Sequence, residues 1–284
     1  MFAALAEVWR VGSRFLLSPL IIAKVGFDGY GTWALIFSVC GYADVLNTSF
    51  GFAYSKFTAE YDRKKDYDHL SQIISSGIVL IGGLGLVGWG IVFALRMSIL
   101  RGLAVPDNLL NEAGIALPLV ATTMVLRISY GCFFQVLAGL QRLDLQYKLN
   151  VFASIVEFVI SIGLLIRGEG LMALAIGHVT GQVLAMILAR VMCWRICPAI
   201  RFSLSRVTKA GLKHLLSLGG RFQLLAVMAM AITDGIKILI SAMCGGPDVV
   251  GQYDLAEKLL TLAKSFSSSL IAPLMPAFAH LHAG

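Results

Sequence analysis

The chain has 284 residues, of which 58% are apolar and only 14% are charged, and its mean hydropathy is +0.82. Soluble domains carry about 25% charged residues, so this chain lacks the polar surface that a soluble fold of its length requires. Its net charge of +7 would suggest nucleic-acid binding in a soluble protein, but the distribution of the charge along the chain gives it another explanation.

Apolar segments long enough to cross a bilayer recur along the whole chain. A transmembrane helix needs about 20 mostly apolar residues to cross ~30 Å of hydrocarbon. The predicted fold class is therefore an all-α, polytopic membrane helical bundle with about eight transmembrane helices. In chain order, helices are predicted over residues 3–24, 31–54, 72–95, 113–138, 149–166, 171–192, 215–242 and 250–279.

The connections between these helices differ in charge on the two sides of the membrane. The more basic side contains Lys56, Arg63, Lys64, Lys65, Arg142, Lys148, Arg190, Arg195, Arg201, Arg206, Lys209 and Lys213, and the other contains Lys24, Arg96, Arg101 and Arg167. The positive-inside rule places the more basic side, and with it the N-terminus, in the cytoplasm. The net charge is thus mainly a topology signal, and anionic lipid headgroups are a secondary binding partner.

Two segments near the start of the chain resemble two segments near its end. Residues 11–17 (VGSRFLL) resemble 218–224 (LGGRFQL), and residues 31–35 (GTWAL) resemble 251–255 (GQYDL). Transporter folds are often built from repeated halves, so the similarity predicts a repeat of six helices that begins a second time. The alternative is chance similarity among apolar segments.

The repeat predicts the domain organisation. Residues 1–195 form an N-terminal six-helix lobe, residues 196–214 form a basic cytoplasmic connection, and residues 215–284 form the first two helices of a second lobe. An acidic residue, Asp28 or Asp248, precedes the glycine-led stretch in each copy. On this prediction the chain ends two helices into its second lobe, and residues 1–284 alone are not expected to transport anything.

Several short motifs together resemble a known family. They are SPL at 18–20, GYGTWAL at 29–35, GY at 41–42, GFA at 51–53, AEY at 59–61, AGLQR at 138–142, VGQY at 250–253 and PLMP at 273–276. They resemble the Wzx-like oligosaccharide flippases of bacteria. That family belongs to the superfamily of multidrug, oligosaccharidyl-lipid and polysaccharide exporters.

The resemblance implies twelve or more helices in two lobes around a central cavity. It also implies a cargo, a glycan on a polyprenyl diphosphate carrier, which crosses the bacterial inner membrane by alternating access without ATP. Glycan polymerase and glycosyltransferases are implied as further partners. Two features depart from the family pattern. The chain has only about eight predicted helices, as expected for a C-terminal truncation. It also has Ser49-Phe50-Gly51 where many relatives have an acid two residues before the glycine, which argues against acid-dependent coupling at that position.

Ionisable residues within the predicted spans provide the functional candidates. Each costs roughly 2.5–3.5 kcal/mol at a helix centre, so each needs a partner or a wet cavity. Residues three or four apart share a helix face, and these residues join serines and threonines in polar stripes, as expected around a polar interior. The bases are Arg10, Arg14, Arg127, Arg221, Lys237, Lys258 and Lys264, and the acids are Glu7, Asp44, Glu157, Asp234, Asp254 and Glu257.

Two sets of roles are predicted for these residues. A diphosphate is bound well by the paired, charge-assisted hydrogen bonds of arginine, and the predicted substrate-binding residues are Arg127, Arg14, Arg10 and Lys258. Coupling or pairing roles are predicted for Asp44, Glu157, Asp234, Lys237 and Asp254.

For several of these residues an alternative role remains open. Arg127 has no acid three or four residues away, so it either binds an anion or pairs with Glu157. Three pairs of charges have a simpler alternative, in which neighbours on one helix neutralise each other: Glu7–Arg10, Asp234–Lys237 and Asp254–Lys258. Bases near the cytoplasmic ends of helices, such as Arg221, have another, in which the side chain reaches the lipid headgroups.

No catalytic motif competes with transport. The chain has no P-loop, no His-Glu zinc pattern and no supported Ser-His-Asp grouping. We therefore predict no enzyme activity, no cofactor, no metal site and no nucleic-acid partner. Two alternatives remain open within the membrane. One is a drug or cation antiporter that uses Asp44 or Glu157 for coupling, and the other is a membrane-embedded enzyme or assembly factor of envelope polysaccharide synthesis.

Overall fold

The computed structural model describes residues 2–200, 203, 206–244 and 246–271, with most of their side chains. The described chain is almost entirely helical and contains no strand, which confirms the predicted fold class. Its helices are α1 (Phe2–Lys64), α2 (Tyr67–Gly102), α3 (Asp107–Tyr130), α4 (Cys132–Gly139), α5 (Leu143–Ile166), α6 (Gly170–Ile196), α7 (Lys209–Cys244) and α8 (Pro247–Ile271).

The first two predicted helices are joined in α1 by a break of one residue. Gly26 has φ 77° and ψ 175°, a left-handed φ that glycine adopts without the steric cost of a Cβ. The break folds the chain back, because the hydroxyls of Ser18 and Tyr30 lie only 3.3 Å apart, whereas twelve residues of straight helix would separate them by about 18 Å. The sequence predicted a longer turn, over residues 25–30.

The hydropathy of the helices fits a membrane environment. Among the described residues, five helical segments are long and apolar enough to cross a bilayer. Large apolar side chains on the outside of α2 are exposed, including Leu86 at 61% and Val87 at 63%, as expected for a helix that faces lipid. The chain is a multi-pass membrane protein. The five segments are Phe15–Gly41, Tyr67–Gly102, Asp107–Gly139, Leu143–Ile166 and Gly170–Ile196.

Contacts made by the segments that connect the helices define two ends of the bundle. At one end Arg206 pairs with Asp68 at 2.7 Å, so the α1–α2 and α6–α7 connections lie together. We call this the basic end, because most of the loop lysines and arginines are found there. At the opposite end Ser241 of α7 donates a hydrogen bond to the carbonyl of Leu103, after α2.

Buried apolar side chains fill the space between the helices. The largest described cluster joins α1, α3 and α6 through residues such as Leu35, Leu117 and Leu171, all with no exposed surface. A second cluster lies nearer the basic end and includes Leu70, Val136 and Leu215. These clusters fix the rotation of α1, and with it the positions of its polar side chains.

Candidate functional site

The end of the bundle opposite the basic end contains a backbone contact between α1 and α8. An ideal Cβ placed on Gly31 would overlap the Pro247 carbonyl and lie 3.1 Å from the Gly251 nitrogen. An ideal Cβ placed on Gly251 would lie 3.0 Å from the Phe27 carbonyl oxygen and 3.2 Å from the Gly31 nitrogen. The two helices therefore touch backbone to backbone. Only glycine fits at position 31, and a Cβ at position 251 would require its neighbours to move by a few tenths of an ångström.

This contact is reciprocal. Gly31 meets the residue four before Gly251, and Gly251 meets the residue four before Gly31. Self-complementary contacts of this kind arise where two equivalent segments meet across a twofold axis. The two segments are the ones whose sequence similarity suggested a repeat, although the division into lobes remains a prediction.

A polar network lies next to the glycine contact and is centred on a tyrosine of α1. The Tyr30 hydroxyl donates to Asp254 Oδ2 at 2.8 Å and accepts from Lys258 Nζ at 2.6 Å. Its third neighbour is the Ser18 hydroxyl at 3.3 Å. Tyr30 and Ser18 have no exposed surface, so these bonds form in the interior, between α1 and α8.

Lysines from two helices bind the same carboxylate in this network. Lys237 of α7 lies 2.6 Å from Asp254 Oδ1 and 2.9 Å from Glu257 Oε2. Lys258 lies 3.1 Å from Asp254 Oδ2. Two positive and two negative groups thus neutralise one another. We call Ser18, Tyr30, Lys237, Asp254, Glu257 and Lys258 the Tyr30 cluster.

The surroundings of the Tyr30 cluster make its charges interdependent. The Asp254 side chain is 9% exposed and the Lys237 side chain is 12% exposed. Two partly buried charges are tolerated when each is paired and hydrogen-bonded, but removal of one partner strands the other. The cluster can therefore serve as a polar connection between α1 and the α7–α8 pair. Its bonds can be exchanged for bonds to water or to an anion.

The structure brings together three of the predicted site residues, Lys258, Lys237 and Asp254. The intrahelical pair Asp254–Lys258 is present as one of the sequence alternatives described it. Lys237 instead reaches across to the acids of α8. The side chains of Asp234, Arg10, Arg14 and Asp44 lie outside the described residues.

The predicted residue Glu157 lies in a second, separate polar site. Its Oε1 atom is 3.1 Å from Nδ1 of His178, so α5 and α6 share this pair. His178 is 1% exposed, and its Nε2 is buried without a hydrogen-bond partner. The ring of Phe37 packs edge-on against the imidazole at 4.8 Å between centroids. Burial of this kind keeps a titratable pair away from bulk water.

Arg127 lies in the last turn of α3, which ends at Tyr130, and within the membrane segment Asp107–Gly139. Its side chain is half-buried and has interaction partners. Whether it binds substrate remains a prediction.

Sequence reasoning missed the central residue of the site. Tyr30 was assigned to a turn, and the family resemblance drew attention only to the motif around it. Its position between two glycines, Gly29 and Gly31, was the available signal, because small residues let two membrane helices approach closely. No group of three or more metal-ligating side chains occurs among the described residues.

Comparison with known proteins identifies the family. The profile of the family described as polysaccharide biosynthesis protein matches residues 4–282. The chain belongs to this polysaccharide biosynthesis family. No match to the chain emerged among curated proteins.

Solved structures show that this chain has the same fold as transporters of the MOP superfamily. It superposes on a multidrug resistance MATE family transporter of the MOP superfamily in its inward-facing conformation, with a TM-score of 0.71 and 14% identity over 90% of this chain and 58% of that one. With the outward-facing conformation of a MATE family transporter the TM-score is 0.71 and the sequence identity is 15%, over 93% of this chain and 60% of that one. With a MOP superfamily transporter from Pyrococcus furiosus that has a binding pocket of reverse polarity, the TM-score is 0.66 and the sequence identity is 14%, over 93% of this chain and 64% of that one. The chain thus spans less than two thirds of the length of these relatives.

Proposed function

We propose that this member of the polysaccharide biosynthesis family flips a polyprenyl-diphosphate-linked oligosaccharide across the bacterial inner membrane, by alternating access and without ATP. The observation that carries the proposal is the Tyr30 cluster. It is a hydrogen-bonded, charge-balanced contact between α1 and the α7–α8 pair in a chain that is otherwise strongly apolar. The family description supports a polysaccharide precursor as the cargo.

A polar contact of this kind suits an interface that opens and closes. Alternating access requires two groups of helices to separate at one end of the membrane while they meet at the other. When hydrogen bonds and ion pairs separate, water replaces the lost partners, so the net change in free energy per bond is only about 0.5–1.5 kcal/mol. The Gly31–Gly251 contact leaves no room for water between the backbones, which supports a closed gate at this end.

The lysines of the cluster also suit an anionic cargo. In the closed state Lys237 and Lys258 share Asp254. When the gate opens, a diphosphate can take over the lysines from Asp254, because it carries more negative charge and more acceptor oxygens than one carboxylate and also forms charge-assisted hydrogen bonds. Arg127, Arg10 and Arg14 remain the proposed further contacts for the diphosphate.

The test measures glycan export in a strain that lacks its own flippase, with the full-length gene product. Lys258→Ala is expected to reduce surface polysaccharide at least several-fold, with normal amounts of protein in the membrane. Arg96→Ala is the matched control, because its described contacts are to Phe93 in the same helix. Equal export by the two variants would contradict the proposal.

Thiol labelling tests the gate separately from the cargo. Val250 has no exposed surface, so Val250→Cys, in a background without the five native cysteines, reports opening at this end. Tyr30→Phe is expected to raise the labelling rate. An unchanged rate together with reduced export would mean that the cluster binds substrate but does not form a gate.

The orientation is part of the proposal and has its own test. The basic end is placed in the cytoplasm, together with the N-terminus. Reporter fusions after Lys65, Lys148 and Arg206 should give cytoplasmic signals, and fusions after Pro106 and Pro247 should give the opposite signal. A reversed pattern would place the Tyr30 cluster at the cytoplasmic gate.

The Glu157–His178 pair favours one competing function, a drug or cation antiporter. A carboxylate within a membrane span is a candidate cation-binding group, and Glu157 is held in place by its hydrogen bond to the buried His178. Glu157→Gln should abolish drug resistance conferred by the protein if this function is the right one, and should leave glycan export intact. Loss of glycan export without any drug phenotype would favour the flippase.

A further inference from the structure

The start of α7 carries a group of side chains at the basic end that the proposed transport function does not use. Lys209, Leu212, Lys213 and Leu216 line an open groove of about 520 Å³. Their spacing of three and four residues places them on one face of the helix. Both lysines are exposed, and Leu216 is 47% exposed.

The opposite face of α7 holds the helix against α2. The backbone N–H of Thr208 donates to Ser76 Oγ at 3.0 Å, and Leu215, with no exposed surface, belongs to the cluster that includes Ile73 and Ile74 of α2. Gly211 lies against Ser76 as well. The face with the two lysines and two leucines is therefore directed away from the bundle.

The charges on this outer face are unfavourable for the protein alone. Two lysines one turn apart repel each other, and they lie in the first turns of α7, where the helix dipole disfavours positive charge. The first turn contains no acidic residue. Within the described part of the chain no ion pair involves either lysine, and the nearby Asp68 is already bound by Arg206.

We propose that this groove binds one anionic phospholipid of the surrounding bilayer. The phosphate lies between Lys209 and Lys213, where it neutralises the two charges, and an acyl chain lies along Leu212 and Leu216. The level in the membrane fits, because the predicted span begins at residue 215, so the lysines and Leu212 lie at the headgroups and Leu216 lies at the edge of the hydrocarbon. Basic residues at this level attract anionic lipid electrostatically.

The site is distinct from the Tyr30 cluster, which lies at the other end of the bundle. Lipid bound here would hold the start of α7 at the membrane surface. The inference does not depend on the cargo of the transporter, and it holds equally for an exporter of another substrate.

Thermal unfolding of the purified full-length protein in detergent tests the proposal. Phosphatidylglycerol, at a free concentration about a hundred times its Kd, is expected to raise the melting temperature by about 5 °C. Phosphatidylcholine with the same acyl chains, and inorganic phosphate alone, are expected to have little effect. An equal shift with phosphatidylcholine would overturn the role of the lysines, and an equal shift with phosphate would overturn the role of the leucines.

Three double variants assign the effect to this groove. K209Q/K213Q should lose most of the shift, and Lys209→Arg with Lys213→Arg should keep it. K64Q/K65Q removes the same charge at the same end, from lysines that already have acidic partners, and should also keep it. An equal loss in both glutamine variants would reduce the effect to general surface charge and overturn the proposal.

Discussion

Lysine–carboxylate pairs occur at both ends of the molecule, with similar distances and different surroundings. At the basic end Lys64 and Glu60 are 2.7 Å apart, with side chains 59% and 40% exposed. In the Tyr30 cluster Lys237 and Asp254 are 2.6 Å apart, with 12% and 9% exposed. Water and salt screen the first pair, whereas protein covers about nine tenths of the second pair. The energetic weight of an ion pair in this protein is therefore set by burial rather than by distance.

The largest difference between the two ends should follow from removal of one acid. Asp254→Asn removes the carboxylate that Lys237 and Lys258 share, and the free energy of unfolding is expected to fall by about 3–5 kcal/mol. Asp144→Asn breaks the exposed pair with Arg142 and should not change the melting temperature measurably. Thermal unfolding in detergent provides the measurement. Similar shifts in the two variants would mean that burial does not separate the two ends.

A methyl group at the glycine contact should have a somewhat smaller effect. Gly31→Ala places a Cβ on the Pro247 carbonyl and forces the α1 and α8 backbones apart, and overpacking of this kind typically costs about 1–3 kcal/mol. It should also raise the labelling of Val250→Cys. Gly163→Ala is the matched control, because an ideal Cβ at Gly163 meets nothing within 4 Å and alanine favours a helix interior. A stable, unlabelled Gly31→Ala would contradict the described contact.

The next largest effect on stability is expected from the loss of one hydroxyl in the Tyr30 cluster. Tyr30→Phe leaves Asp254 and Lys258 each short of a hydrogen bond in the interior, at an expected cost of about 1–3 kcal/mol in the free energy of unfolding. Tyr67→Phe removes a hydroxyl that binds Asp62 at 2.8 Å near the surface, where water can replace it. The comparison fails if both phenylalanine variants unfold at the wild-type temperature.

The smallest expected effect concerns pH at the basic end. Asp66 caps α2, and the hydrogen bond from the backbone N–H of His69 lowers the pKa of its carboxyl. A group with a lowered pKa contributes stability that is present above its unfolded pKa and is lost as the pH falls through its folded value. The melting temperature should therefore decrease slightly as the pH falls below about 4. Asp66→Asn keeps a capping side chain and should flatten that decrease, and an unchanged pH profile would exclude Asp66 as its source.

Much of the fold could be predicted from sequence because its causes are local. Each apolar span depends on the hydropathy of its own residues, so the described helices overlap the predicted ones, with differences mainly at their ends. The break at Gly26 was harder to predict, because nothing in a run such as Val25-Gly26-Phe27 indicates that a single residue will replace a turn. The Asp254–Lys258 pair was predictable because both partners lie on one helix.

The rest of the site depends on contacts between helices that are distant in sequence. Lys237 has an acid three residues before it, but the bonds described for it go to α8, since the rotation of α7 against α8 is set by packing. Tyr30 lies 224 residues from its acceptor Asp254, and Glu157 lies 21 residues from His178. Spacing on one helix cannot reveal such partners. The sequence by itself determined the membrane helices and the basic connections, because hydropathy and charge act residue by residue. Only the tertiary structure decided which polar groups meet, because that depends on how the buried apolar faces fit together.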